Sequence, residues 1–182
     1  FTVMSFLSTT GFESADWQTA QDWSGLNTPG MILLGLALIG GGVATTAGGV
    51  KLLRVYALYL NGLGEMERLV HPSSISGGGG GNRRLQKNGA FVAWVFFMLF
   101  ALSLALISIL LAALGTDFET SLILAIAALS TTGPLTEIAA SEPIMLGQLV
   151  PSAKLVLCLA MVLGRLETLA IIALLSPNLW RS

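Results

Sequence analysis

The chain has 182 residues, of which 54% are hydrophobic and 10% are charged, and its mean hydropathy is +0.80. Ordinary soluble domains carry about 25% charged residues, so this composition argues against a soluble domain and indicates a membrane protein. The net charge of −1 offers no basic surface for nucleic acid. The single cysteine, Cys158, lies in an apolar run, which rules out a disulfide framework or a thiolate metal site. Since the sequence opens inside an apolar stretch without an initiator methionine, we interpret it as a piece of a longer polypeptide.

Three segments are long enough to cross a bilayer, which takes roughly 20 apolar residues. The first, 28–60, is interrupted by the stretch GGVATTAGGV. The second, 89–115, is one continuous apolar run, and the third, 152–176, contains an arginine and a glutamate. The sequence therefore predicts three membrane-spanning segments, of which the first is broken.

A shorter apolar run precedes the third span, in DFETSLILAIAALSTTGP at 117–134. Its apolar part is about 12 residues long, which is too short to span and is typical of a re-entrant or core helix. Residues 1–7 resemble the end of a second such helix, and both runs lead into Ser-Thr-Thr-Gly, beginning at Ser8 and Ser130. A short helix, this motif, a polar segment and a long apolar helix recur in that order, which indicates an internal structural repeat.

Charges are distributed unevenly between the two sides of the predicted membrane segments. The end of the first span and the connection that follows it hold the basic residues Lys51, Arg54, Arg68, Arg83, Arg84 and Lys87. The segments on the opposite side hold the acids Glu13, Asp16, Asp22, Asp117, Glu119, Glu137 and Glu142. By the positive-inside rule, we expect 61–88 to be cytoplasmic and the Ser-Thr-Thr-Gly motifs to enter from the periplasmic side.

The repeated motif has the chemistry of an ion selectivity filter. Backbone carbonyls can replace the hydration shell of a cation, glycine permits the required backbone angles, and a short helix directs its negative C-terminal end at the ion. The candidate cation-binding residues are the threonines and glycines of the two motifs, Thr9, Thr10, Gly11, Thr131, Thr132 and Gly133. The alternative is that each motif is only the C-terminal turn of a helix, because glycine commonly ends helices.

The glycine-rich stretch inside the first span is a candidate gate, since a flexible loop of small residues can lie across a pore and move aside. The predicted gating residues are Gly40, Gly41, Gly42, Ala44, Thr45, Thr46, Ala47, Gly48 and Gly49. The alternative is close packing of helices through small residues. Arg165 is a second candidate for gating, because a fixed positive charge below the filter would oppose a cation. The alternative for Arg165 is a structural ion pair, such as one with Glu167.

Several of these stretches together resemble one family of membrane proteins. They are STTGF, GGGVATTAGGVKLLR, a cytoplasmic HP, STTGP, GRLE and the terminal SPNLWRS. In these stretches the chain is similar to the C-terminal half of the membrane subunit in the Trk/Ktr/HKT potassium-transport superfamily, of the TrkH type. GRLE and the TAGGVK stretch are the specific signals, whereas Ser-Thr-Thr-Gly alone is weak.

The resemblance implies an all-α membrane protein built from potassium-channel-like repeats around one pore. Each repeat consists of a membrane helix, a re-entrant pore helix with its filter loop, and a second membrane helix, which is broken in the third repeat. Residues 1–60 would be a truncated third repeat, 61–88 the cytoplasmic connection, and 89–182 the complete fourth repeat. Pro134 departs from the pattern, because the first copy of the motif has Phe12 at this place.

The resemblance also implies potassium uptake across a prokaryotic inner membrane, with K⁺ as the transported ion and no tightly bound cofactor. The implied partners are the N-terminal half of the same protein, a second copy in a homodimer, and a TrkA-like cytoplasmic ring of nucleotide-binding subunits. An ion-coupled secondary transporter with a midplane cation site, by K⁺/Na⁺ or K⁺/H⁺ symport, is the alternative. We do not expect an enzyme, because Arg165 with Glu167 supplies no nucleophile.

Overall fold

The computed structural model describes residues 1–17, 19, 29–42, 45, 47–70, 80–140 and 143–166. The helices are α1 (Thr2–Leu7), α2 (Pro29–Ile39), α3 (Leu52–Val70), α4 (Gly80–Ala113), α5 (Phe118–Ser130), α6 (Leu135–Ile138) and α7 (Pro151–Leu166), with a 3-10 turn at Leu146–Gln148. These described ranges contain no strand, so the predicted all-α class is confirmed.

Helix α4 contains the strongest membrane-crossing segment. Its part Gly89–Ala113 is 25 residues long with a mean hydropathy of 2.8, and within the described residues no other helix is both long and apolar enough to span. The other two predicted spans are represented by shorter described helices. Helix α2 ends at Ile39, where the predicted interruption begins, and α7 is described only to Leu166, so the rest of the predicted span 152–176 lies outside the described residues.

The predicted connection between the first and second spans is more helical than we expected. Helix α3 continues to Val70, and α4 already begins at Gly80. The composition of SSISGGGGGN at 73–82 predicts a flexible connector. That prediction is wrong for 80–82, which form the first turn of α4, while 73–79 lie outside the described residues. Glycine lowers helix propensity by about 1 kcal/mol per residue, a cost that helix propagation from the apolar segment outweighs here.

The short helix α5 is the centre around which the other helices pack. Asp117 occupies its N-cap position and Glu119 lies in its first turn, so acidic residues lie at the positive end of the helix. Nine of its 13 residues are buried. They are Ser121, Ile123, Leu124, Ala125, Ile126, Ala127, Ala128, Leu129 and Ser130. A helix that is covered almost all round needs apolar and small side chains on every face, which explains why its sequence shows little amphipathic pattern.

Two apolar clusters hold α5 in place from opposite sides. In the first, Leu124 packs with Leu111 of α4 and Leu157 of α7. The second contains Phe6 and Leu33, which join α1 and α2 to the other side of α5 and to α6. The two short helices that precede the Ser-Thr-Thr-Gly motifs, α1 and α5, are thus parts of one continuous packing unit.

The break between α2 and α3 is a loop inserted into an otherwise nearly continuous helix. The N–H of Val50 donates to the Leu38 carbonyl at 3.0 Å, and the N–H of Lys51 donates to the Ile39 carbonyl at 2.8 Å. In an uninterrupted α-helix, residues 42 and 43 would make these two hydrogen bonds. The end of α2 is therefore joined directly to the start of α3, and residues 42–49 are excluded from the helix.

We expect Phe6→Ala to lower the free energy of unfolding by about 3–5 kcal/mol, because Phe6 is 0% exposed and links α1 to α2 and α5. Chemical denaturation of the full-length protein in detergent measures this change. The matched control is Phe91→Ala, where the side chain is 68% exposed. Equal destabilisation by the two substitutions would contradict the central position of Phe6.

Candidate functional site

The first Ser-Thr-Thr-Gly motif, residues 8–11, forms a hydrogen-bonded turn at the C-terminal end of α1. The N–H of Thr9 donates to the Phe6 carbonyl at 3.1 Å, and the N–H of Thr10 donates to the Ser5 carbonyl at 2.9 Å. These two bonds are the pair that defines a Schellman motif, which satisfies carbonyls that lack partners at the end of a helix. We call residues 8–11 the first filter turn.

The second motif, residues 130–133, repeats this arrangement at the end of α5. The N–H of Thr131 donates to the Ala128 carbonyl at 3.2 Å, and the N–H of Thr132 donates to the Ala127 carbonyl at 2.9 Å. Each donor and each acceptor stands at the position equivalent to its counterpart in the first filter turn. We call residues 130–133 the second filter turn. The internal repeat inferred from the sequence is therefore present in the backbone hydrogen bonds.

The residue that ends the helix in a left-handed conformation is the first threonine of each motif. Thr9 and Thr131 both have a φ of 57°. Such angles are unusual for β-branched residues and cost roughly 1–2 kcal/mol relative to glycine. The alternative interpretation, that each motif forms the C-terminal turn of a helix, is thus correct for where the motifs lie along the chain. Gly11 also belongs to the first turn, because its N–H donates to the Ser5 carbonyl at 3.2 Å, whereas Gly133 follows the residue that closes the second turn.

The serine and the second threonine of each turn lie against one another. Ser8 and Thr10 bring their hydroxyl oxygens to 2.9 Å, and in the second turn the Ser130 hydroxyl donates to that of Thr132 at 3.1 Å. Ser130 and Thr132 are 0% exposed. In the second turn the hydroxyls therefore brace the backbone from within the packed protein.

The two filter turns meet at Gly11. Its φ is +85°, and a Cβ at this position would lie 2.9 Å from the Thr132 methyl group and 3.0 Å from the Pro134 Cδ. Any side chain on residue 11 would therefore collide with the second turn. Glycine permits both the backbone angle and the close approach. The structure brings the two predicted groups of ion-binding residues together.

The two turns differ in what their carbonyl oxygens contact. In the second turn, the Gly133 carbonyl accepts hydrogen bonds from the Thr136 N–H at 3.2 Å and from its hydroxyl at 3.0 Å, and the Thr132 carbonyl accepts one from Leu135 at 3.2 Å. Pro134 begins this tight turn with a φ of −61°, an angle its ring favours. Among the described residues, no donor is hydrogen-bonded to the carbonyls of the first turn's two threonines and glycine.

The glycine-rich loop lies against the carbonyl ends of both short helices. A Cβ on Gly41 would lie 3.3 Å from the Leu7 carbonyl oxygen, and one on Gly48 would overlap the Ser130 carbonyl. Gly40 and Gly49, at the two ends of the loop, have positive φ angles of 70° and 84°. The loop can therefore approach the helix ends closely only because Gly41 and Gly48 lack side chains. Of the predicted gating residues, Ala44 and Thr46 lie outside the described residues.

Arg165 shares a cavity with the loop. The cavity has a volume of about 160 Å³ and is lined by Thr45, Ala47 and Gly49 of the loop together with Arg165 of α7. Arg165 and the loop, the two candidates for gating, therefore lie close together in the structure. Its alternative partner, Glu167, lies outside the described residues.

Sequence reasoning did not identify further residues around this cavity. Lys51 and Arg54, which we used only to assign the cytoplasmic side, line it together with Ser103 of α4. The Arg54 guanidinium also lies over the ring of Phe96, 3.7 Å from the ring centre. The sequence feature that could have identified Lys51 is its position directly after the loop. A side chain at that position lies close to the space that the loop occupies.

Comparison with known proteins identifies the family. The profile of the TrkH family, described as a cation transport protein, matches residues 1–182. The chain belongs to the TrkH family. It is 33% identical over 181 residues to the Trk system potassium uptake protein TrkH of Halomonas elongata, and 36% identical over 184 residues to that of Vibrio parahaemolyticus. Both alignments cover 100% of the chain, which spans 36% of the length of each relative.

The fold agrees with this family. The crystal structure of the potassium transporter TrkH from Vibrio parahaemolyticus superposes with a TM-score of 0.76 at 32% sequence identity. The match covers 97% of the chain and 36% of the solved structure. The resemblance inferred from the motifs is thus confirmed, and the relatives of this chain are transport proteins of a membrane-protein family.

We expect Thr131→Gly to leave the free energy of unfolding unchanged or to raise it by up to about 1 kcal/mol. Relief of the left-handed strain, roughly 1–2 kcal/mol, exceeds the roughly 0.5–1 kcal/mol that glycine's backbone entropy costs. Chemical denaturation in detergent measures both this variant and the control Thr132→Gly, which loses a buried hydroxyl contact and is expected to be destabilised. Marked destabilisation by Thr131→Gly would contradict the strain.

Proposed function

We propose that the chain forms part of the pore of a potassium uptake protein in a prokaryotic inner membrane. The observation that carries this proposal is the contact between two filter turns with the same hydrogen-bond pattern, each at the C-terminal end of a short helix. The relatives reported above are potassium uptake proteins and a potassium transporter, which supports K⁺ as the transported ion.

In the proposed mechanism, K⁺ loses part of its hydration shell at the filter turns. The carbonyls of Thr9, Thr10 and Gly11 are the best-placed ligands, because no described donor is hydrogen-bonded to them. The negative ends of α1 and α5 favour a cation at this place. The chain supplies two of the four turns that surround the pore, and the N-terminal half of the protein supplies the other two.

The proposed gate lies directly below the filter turns. The loop 40–49 contacts the carbonyl ends of both short helices and so lies where an ion leaves the filter. Arg165 lines the same cavity as the loop, and its fixed charge raises the barrier to a cation. The ion crosses when the loop moves away, with 61–88 on the cytoplasmic side and the filter turns on the periplasmic side.

The proposed assembly is a homodimer with one pore per subunit, regulated by a TrkA-like cytoplasmic ring of nucleotide-binding subunits.

The proposed transport activity is tested by recording currents from the reconstituted full-length protein. We expect the reversal potential to follow the K⁺ equilibrium potential. A reversal potential that depends equally on Na⁺ or H⁺ would instead support the coupled transporter with a midplane cation site.

We expect Arg165→Ala to raise K⁺ flux at least about threefold, because a barrier lowered by even ~0.7 kcal/mol raises a rate by that factor. Rubidium uptake into vesicles, normalised to folded protein, measures the change. Arg165→Lys retains the charge and is expected to stay near the wild-type flux. Unchanged flux in a well-folded Arg165→Ala protein would rule out a barrier at this residue.

Removal of residues 42–49 is expected to give a folded protein that leaks K⁺. Val50 and Lys51 already occupy the hydrogen-bonding positions of residues 42 and 43, so this deletion joins α2 to α3 in helical register. The control deletion of 44–49 leaves two additional residues and rotates α3 by about 200°, which is expected to impair folding. If the longer deletion folds but abolishes flux, the loop is needed for conduction and not for closure.

A further inference from the structure

Two glycines, one in the glycine-rich loop and one in α7, contact the same carbonyl end of α5. A Cβ on Gly48, in the glycine-rich loop, would overlap the Ser130 carbonyl oxygen and would lie 2.6 Å from its carbon. A Cβ on Gly164, in α7, would overlap the Leu129 carbonyl oxygen and would lie 2.7 Å from its carbon. Both obstacles are backbone atoms, which cannot rotate away as a side chain does.

The backbone at these positions leads straight into the second filter turn. Ser130 is the last residue of α5, and Thr131 follows in the left-handed conformation with a φ of 57°. The turn is fixed by short hydrogen bonds to Ala127 and Ala128, so a displacement of the last helical turn must also displace the turn. The positions of Gly48 and Gly164 therefore limit where the filter backbone can lie.

The first filter turn has a comparable neighbour. Leu7 is the repeat counterpart of Leu129, and the Leu7 carbonyl oxygen lies 3.3 Å from the position of a Cβ on Gly41. In both repeats, a glycine of the second membrane segment lies against the same carbonyl of the short helix. This recurrence indicates that the close approach of a glycine to the short helix is a common feature of both repeats and is not limited to one residue.

We propose that Gly48 and Gly164 are positioning residues for ion discrimination, because they hold the carbonyl end of α5 from two sides. This inference rests on the proposed function. A side chain at either position pushes the Leu129–Ser130 backbone and with it the second filter turn. Because Gly48 belongs to the loop, the position of the proposed gate and the shape of the filter depend on one another.

The test compares rubidium and sodium uptake by vesicles containing the full-length protein with Gly164→Ala or Gly48→Ala. The ratio of the two uptakes does not depend on how much protein is folded. We expect the preference for rubidium over sodium to fall by about tenfold, which is less than the roughly hundredfold loss that a full 1 Å misplacement can cause at a positioned site. The rubidium concentration for half-maximal uptake should rise in the same variants.

Matched controls carry the same substitution at glycines with free space. Gly62→Ala in α3 would meet no atom within 4 Å, and it should keep the wild-type flux and preference. Gly35→Ala, in the helix α2 that leads into the loop, would also meet no atom within 4 Å and should keep the preference. Equal loss of preference in a control would overturn the proposal.

The remaining outcomes separate this inference from the proposed function. If the wild-type protein shows no preference for rubidium, the proposed function itself fails. If the wild type discriminates and both folded variants discriminate equally well, only the positioning role is overturned. If neither variant yields folded protein, the two glycines serve folding rather than the filter, which also overturns the positioning role.

Discussion

The last carbonyls of a short helix have no partner within that helix, and in a buried site they must be met by other groups. At the end of α5, the Schellman pair satisfies Ala127 and Ala128, while the backbone at Leu129 and Ser130 is approached by glycines of two other segments. This crowded carbonyl end is the constraint on which the rest of the site depends. It places the filter turn, the glycine-rich loop and α7 within contact of one another.

The break between α2 and α3 follows from the same need for backbone partners. The carbonyls of Leu38 and Ile39 would be unpaired at the end of α2, and Val50 and Lys51 satisfy them. Among the described residues of the loop between them, Gly41 is also tied to α3, because its carbonyl accepts a hydrogen bond from the Leu52 N–H at 3.1 Å. The rest of the loop can change position while both helices stay in place, which is the mechanical property that a gate requires.

The two repeats show how one motif acquires two environments. Their turns share backbone hydrogen bonds and a left-handed threonine, yet Ser130 and Thr132 are fully buried whereas Ser8 and Thr10 are exposed within this chain. Pro134 closes the second turn onto Thr136, which engages the Gly133 carbonyl. The first turn continues in a more open form. A pore assembled from such units is not strictly symmetric, and its ion ligands need not come equally from each turn.

Local patterns in the sequence determined the helical class, the family, the broken span and the repeated turns, because apolar run length, glycine content and motif order act over short stretches of chain. The sequence also indicated Arg165, because a charged side chain inside an apolar membrane segment is energetically costly. That cost can be recognised without knowing which residues surround the arginine. Only the tertiary structure decided that Gly48 and Gly164 meet the same helix end, and that Lys51 lines the cavity of Arg165. Those contacts join residues far apart along the chain. A glycine in a sequence does not show which distant backbone segment packs where its side chain would be.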